Sequence, residues 1–200
     1  SYKNLSANNL AGVFAARFPG DLGNSLKVSL WSSNNASSFS AWGPDGSYAE
    51  QFNGVPGTSV YANTHGGVND EMHILVIDAG GKFSGVPNTV LEKFSYVSKA
   101  SDAKNDDGSS NYYVNVIDDR SQFVYVINHP TTSTNWGSAA AGVTFADTAS
   151  NTTAVMTGGS VGTPTDADLE RAYNLFGDSD SVDVSLLMTG DHSKNVTKYV

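Results

Sequence analysis

Cysteine is absent from all 200 residues. That excludes a disulfide framework, a thiolate metal site and a cysteine nucleophile, and it suits a reducing compartment. Long apolar runs are missing too. A run such as Ile74-Leu75-Val76-Ile77 is the size of a strand, far short of the ~20 residues a helix needs to cross a bilayer. Positive charge is scarce, with 11 Lys and Arg against 20 Asp and Glu and a net charge of −9. Phosphate backbones and anionic lipid surfaces repel such a chain, which disfavours nucleic-acid and membrane binding, whereas a basic protein partner suits it. The amino terminus has no initiator methionine and no basic and apolar regions of a signal peptide. The other end, Lys198-Tyr199-Val200, follows soon after a strand-like run, and both ends read as cut from something longer.

What is present reads as one domain region over residues 1–200, large enough to bury about 70% of its unfolded surface without a metal or disulfide. Leu26, Val28 and Leu30 alternate with Lys27 and Ser29, the period of a half-buried strand. Residues 32–70 are rich in Ser, Asn and Gly and read as irregular, with one short strand near Tyr48–Phe52. Met72 to Asp78 is the clearest strand, closed by Ala79-Gly80-Gly81-Lys82. Further strands are expected at Val90 to Val97, Tyr112 to Ile117 and Gln122 to Asn128, the last stopped by His129-Pro130. Asp102 to Ser110 is a polar loop.

One helix is well signalled: Thr165 can cap it, Asp166 and Asp168 suit its first turn, and Leu169, Ala172, Tyr173 and Phe176 share one face before Gly177. Val182, Val184, Leu186 and Met188 then read as a strand buried on both faces. Strands, a helix and a returning strand predict an α/β, α+β-mixed fold: a mixed β-sheet with flanking helices and long irregular loops.

Chemistry is thinly signalled. Gly158-Gly159-Ser160-Val161-Gly162 matches the Gly-x-Ser-x-Gly nucleophile elbow, and Asp183 and His192 follow in the chain order of an α/β-hydrolase triad. An elbow needs the serine on a tight turn running straight into a helix, yet Pro164 and Thr165 intervene, and a glycine loop leading to a helix cap fits as well. His65, His73, His129 and His192 are scattered, with no His-x-x-x-His pair. Asp102 to Gly108 has a calcium loop's composition but not its ligands: with Gly108 sixth, Ala103 falls first and Val114 twelfth. Asp178, Asp180 and Asp183 read as an exposed acidic loop before a cation site.

His73 is expected to be hydrogen-bonded or edge-facing, and Trp31, Trp42 and Trp136 to cover core or sit in a contact surface. The Asn, Ser and Trp content of residues 31–64 also admits a host- or glycan-binding surface centred on Trp42. The sequons at Asn4, Asn35, Asn151 and Asn195 read as chance without a secretory signal. No phosphate loop or dinucleotide fingerprint occurs, so no catalytic, cofactor or metal residue is assigned.

Three stretches go further. Phe18-Pro19-Gly20-Asp21-Leu22-Gly23-Asn24-Ser25-Leu26-Lys27-Val28 resembles the "PG..GN.L.V" turn and strand of the tail sheath proteins of contractile-tailed bacteriophages. Glu71 to Val126, with Val90-Leu91-Glu92-Lys93-Phe94, Val97-Ser98 and Asp102-Ala103, is similar to that family's "VLE.F..VS...DA" segment. Leu169 to Gly190, helix followed by Ser181-Val182-Asp183-Val184-Ser185-Leu186-Leu187-Met188, resembles its "A...F.d.e.vdv.ll..g" unit. The stretches occur in family order over a little over half the chain.

The resemblance implies a structural subunit, not an enzyme, that polymerises helically around the tail tube in the virion after assembly in the host cytoplasm. Its contraction would drive the tube through the host envelope for genome ejection; related sheaths occur in pyocin-like particles and type VI secretion systems. The implied partners are neighbouring sheath subunits, the tail tube protein, the baseplate and the tail terminator. The family's strand-exchange arms are not visible, so the chain reads as a fragment of a longer multidomain subunit.

Overall fold

The computed structural model describes residues 13–130, 133–148, 152–178, 180, 183, 185–188, 190 and 193–199. The chain divides into two units, residues 1–160 and 161–200. In the first, β2 (Leu26–Trp31) forms where the apolar alternation begins. It pairs antiparallel with β3 (Glu71–Asp78) on one side and β6 (Thr152–Val155) on the other. A hairpin joins β3 to β4 (Thr89–Ser98), giving the order β4-β3-β2-β6. Every pairing between described strands is antiparallel, so the fold is α+β and the sheet is not mixed. Parallel pairing needs a crossover connection, and β3 returns to β4 through a turn instead.

Alternation along β3 sends Met72, Ile74 and Val76 to one face and His73, Leu75 and Ile77 to the other. The first set packs with Leu26, Val28 and Leu30 against Tyr113, Val116 and Ile117 of α3 (Tyr113–Arg120). The ribbon of β1 (Phe14–Ala16) and β5 (Val124–Val126) adds Phe14, Val124 and Val126 to the same core. On the opposite face Leu75 and Ile77 meet Trp31, Phe39, Trp42 and Tyr48 in a smaller aromatic core. With both faces covered, β3 is buried from Met72 to Asp78. Each aliphatic side chain taken fully from water there contributes about 1.5–3 kcal/mol.

Two expectations fail in this unit for physical reasons. Tyr112 to Ile117 lies at the start of α3 and is not a strand. Its β-branched and aromatic residues suit either state, but Tyr113, Val116 and Ile117 stand at i, i+3 and i+4, and all three are buried. The expected strand at Tyr48–Phe52 is a 3₁₀ turn over Ala49–Gln51. Tyr48 packs edge-on to Trp42, and Phe52 stacks on both Trp42 and His73, so the aromatics enter the core one by one instead of alternating. The rest of residues 32–70 is irregular apart from the 3₁₀ turn Pro44–Gly46 and two short helices, α1 (Ala36–Phe39) capped by Asn35 and α2 (Val60–Thr64) capped by Ser59.

In the second unit α4 (Asp166–Tyr173) carries the expected cap. Asp168 N donates to Thr165 Oγ1 while Asp168 Oδ2 accepts from Thr165 N, a reciprocal capping box. A 3₁₀ turn at Asn174–Phe176 continues it, and α5 (Lys194–Tyr199) contributes the buried Val196. No strand occurs among the described residues of 182–188. Leu186 and Met188 are 78% and 84% exposed, against the expectation of a strand buried on both faces; Val182 and Val184 lie outside the described residues. No described helix is long and apolar enough to cross a membrane.

Candidate functional site

The polar groups inside the first unit are all satisfied: no buried side-chain nitrogen or oxygen among the described residues lacks a partner. Lys99, fully buried, donates to the carbonyls of Ser32 (2.9 Å) and Asn69 (2.7 Å) and to Asp147 Oδ1 (3.2 Å). Burial lowers its pKa, and the Asp147 and Asp70 carboxylates work against that. Asp70 accepts from Ser59 N, Ser59 Oγ and Ser98 Oγ, tying α2 to the end of β4. Asp78 closes the β3–β4 turn by accepting from Ser25 Oγ, Phe83 N, Ser84 N and Ser84 Oγ. Burial opposes its ionisation, but these bonds outweigh it and hold the carboxyl at about 2. These groups fasten loops to the sheet. Two signals preceded them in the sequence: acids flanking a strand, and a lysine amid small residues.

His73, expected to be hydrogen-bonded or edge-facing, is bonded and central. Its Nε2 lies 2.9 Å from the Gly54 carbonyl, and its Nδ1 accepts from Tyr96 N at 3.1 Å, where a bulge in β4 places Tyr96 at φ 53°. Burial lowers its pKa to about 4, a fall the Gly54 carbonyl partly opposes. His129 pairs with the buried Tyr113 hydroxyl, and His65 bonds the Tyr61 carbonyl. His65, His73 and His129 are not brought together, and no group of three metal-ligating side chains occurs among the described residues.

The Gly-x-Ser-x-Gly segment lacks the local geometry of an elbow. Residues 157–165 carry no helix or strand, Ser160 is exposed, and the helix starts only at Asp166. Gly159 has another role. Its N–H donates to Asn24 Oδ1 (2.8 Å), its carbonyl accepts from Asn24 Nδ2 (2.7 Å), and a Cβ there would stand 2.1 Å from the Gly20 carbonyl. The loop is therefore clasped onto the 3₁₀ turn Gly20–Ser25. In that turn Gly20 adopts φ 78°, and a Cβ on Gly23 would meet the Phe18 carbonyl at 2.4 Å. Asp183 is exposed, as are Asp178 and Asp180, and His192 lies outside the described residues.

Trp31, Trp42 and Trp136 are all core residues. Trp42 is 1% exposed and donates Nε1–H to Ser29 Oγ, so it offers no face to a sugar ring.

Concavities open on the described surface of the first unit. One of about 510 Å³ lies between α2, β4 and the 104–107 loop, lined by Val60, Glu71, Tyr96, Lys104 and Asp106. Another, about 420 Å³, is lined by Phe39, Ala49 and Phe52 and by the carboxylates Asp45 and Glu50. In the second unit Leu175, Phe176, Leu186 and Met188 are each more than half exposed. No protein-family model matches the chain, and no curated protein is significantly similar to it.

Proposed function

We propose that this chain is the central part of a contractile tail sheath subunit. On this reading it polymerises helically around a tail tube in the virion, and its contraction drives the tube into the host. The observation that carries the reading is the ordered set of three family-like stretches, of which the first has a physical reason at three of its positions. Gly20 turns the chain with a left-handed φ, Gly23 lets backbone approach the Phe18 carbonyl, and Asn24 clasps Gly159. "PG..GN.L.V" is thus a structural instruction that launches β2 into the sheet centre.

Two surface features support the reading. Large apolar side chains left exposed, Leu175, Phe176, Leu186 and Met188 among them, suit a subunit that lives in contact with neighbours. The net charge of −9 suits basic patches on adjoining subunits, the tube protein, the baseplate or the terminator. The mechanism is conformational: an extended sheath is a metastable packing, and contraction exchanges weaker contacts between subunits for more extensive ones, summed along the polymer.

Sedimentation velocity of the intact protein tests this. Large, fast species at low salt that diminish at high salt are expected, because exposed charge pairs are screened. A monomer at every protein and salt concentration would overturn it.

A further inference from the structure

Most carboxylates of the first unit are engaged internally; Asp70, Asp78, Glu92, Asp102 and Asp147 all accept hydrogen bonds. Among the described residues the Asp45 and Glu50 side chains have no hydrogen-bond or ion-pair partner, and both line the same 420 Å³ groove beside Phe39 and Phe52. The cation tied to this segment, Lys93, donates to the Gln51 carbonyl and not to either carboxylate. Two free carboxylates on one groove fit a guanidinium, whose planar fork can bridge both.

Only three arginines occur in the chain. Arg17 is spent within the fold, donating to the Val124 and Asp118 carbonyls and stacking 3.7 Å over Tyr125. Arg171 pairs with Asp168 on α4. Arg120, the last residue of α3, is exposed and makes no hydrogen bond or ion pair among the described residues; it helps to lower the pKa of Asp107, a carboxylate held mainly by Ser109.

The sheet keeps the two features apart. α3 packs on the face of Met72, Ile74 and Val76, whereas Phe39 and Ala49 belong to the aromatic core on the face of Leu75 and Ile77. In its own molecule Arg120 therefore sits on the side of the sheet away from the groove and pairs with neither carboxylate.

We propose that Arg120 of one copy docks in the Asp45/Glu50 groove of the next. This rests on the sheath reading and names the contact that reading requires. A contact between these two unlike patches is head-to-tail, and its repetition closes a ring or extends a helical array where a two-fold interface would close a dimer. The left-handed backbone of Asp45 (φ 51°) presents its carboxylate from a tight turn, a conformation Asp and Asn tolerate better than other side chains.

The test is the association of the intact protein followed by sedimentation velocity, with melting temperature as the control for folding. The variants are Glu50→Arg, Arg120→Glu, Asp45→Asn and the double Glu50→Arg/Arg120→Glu. Each single reversal should raise the concentration for half-association about tenfold or more, Asp45→Asn less, and the double variant should recover to within about threefold of the unaltered protein. Single reversals that associate normally would overturn the contact while leaving the sheath reading standing. Loss in both single variants without recovery in the double would also overturn it, since the charges would then serve separate contacts. An unaltered protein that stays monomeric would overturn the sheath reading and the contact with it.

Discussion

Acidification from pH 7 to pH 4 probes the neutral histidine at the centre of the sheet. His73 is fully buried on β3, stacked 4.1 Å from Phe52, with one ring nitrogen against the Gly54 carbonyl and the other accepting from Tyr96 N. Protonation would put a charge in a desolvated site and destroy the acceptor that holds the β4 bulge. Burial places its folded pKa at about 4, below the ordinary 6.5. A depressed folded pKa means the contribution is fully present above pH 6.5 and is lost as pH falls through the window from 6.5 to about 4. That gap corresponds to about 3 kcal/mol, and near pH 5 the slope is about 1.2 kcal/mol per pH unit, since the unfolded chain binds about 0.9 proton more. Urea unfolding followed by tryptophan fluorescence at pH 7, 6, 5 and 4 reads this directly. His73→Gln can still donate and accept, so it should begin about 1–2 kcal/mol less stable at pH 7 and then lose stability more slowly between pH 6 and 4. His129, lowered by burial, and Glu71, raised by burial, titrate in both proteins and cancel in the comparison. Equal slopes for the two proteins would refute the assignment.

Lys99→Met should cost about 3–5 kcal/mol in urea unfolding, because it leaves the Ser32 and Asn69 carbonyls and Asp147 without their shared donor. Gly159→Ala should lower stability by about 1–3 kcal/mol, as its Cβ would collide with the Gly20 carbonyl and open the Asn24 clasp. Ser160→Ala, beside it, should be neutral within about 0.5 kcal/mol, since that side chain is exposed. A serine-reactive fluorophosphonate should label neither the unaltered protein nor the Ser160→Ala variant; labelling that the substitution abolishes would revive the nucleophile.

The central strands were legible in the sequence because period two and β-branching coincide there: Leu26, Val28 and Leu30, and Met72 to Asp78, fall where expected. So did α4, whose Thr165 and Asp168 cap is encoded within four residues. Segments whose partners lie far along the chain were not legible. Tyr112 to Ile117 reads equally as strand or helix until the sheet face it covers is known. Residues 48–52 take their shape from Trp42 and His73, at other points in the chain. The same holds for the surfaces. The motif at Ser160 was visible but is explained by Asn24, 135 residues from Gly159, and neither the Asp45/Glu50 groove nor the exposed Arg120 has a local signature. The antiparallel character of the sheet was hidden for a related reason, since pairing direction depends on how connections return and not on any one strand's composition.

Negative-stain electron microscopy of the intact protein, expressed alone and imaged at low and physiological salt, addresses the sheath reading most directly. Tubular polymers of uniform width, more abundant at low salt, are expected. Particles that remain single subunits under both conditions would contradict that reading.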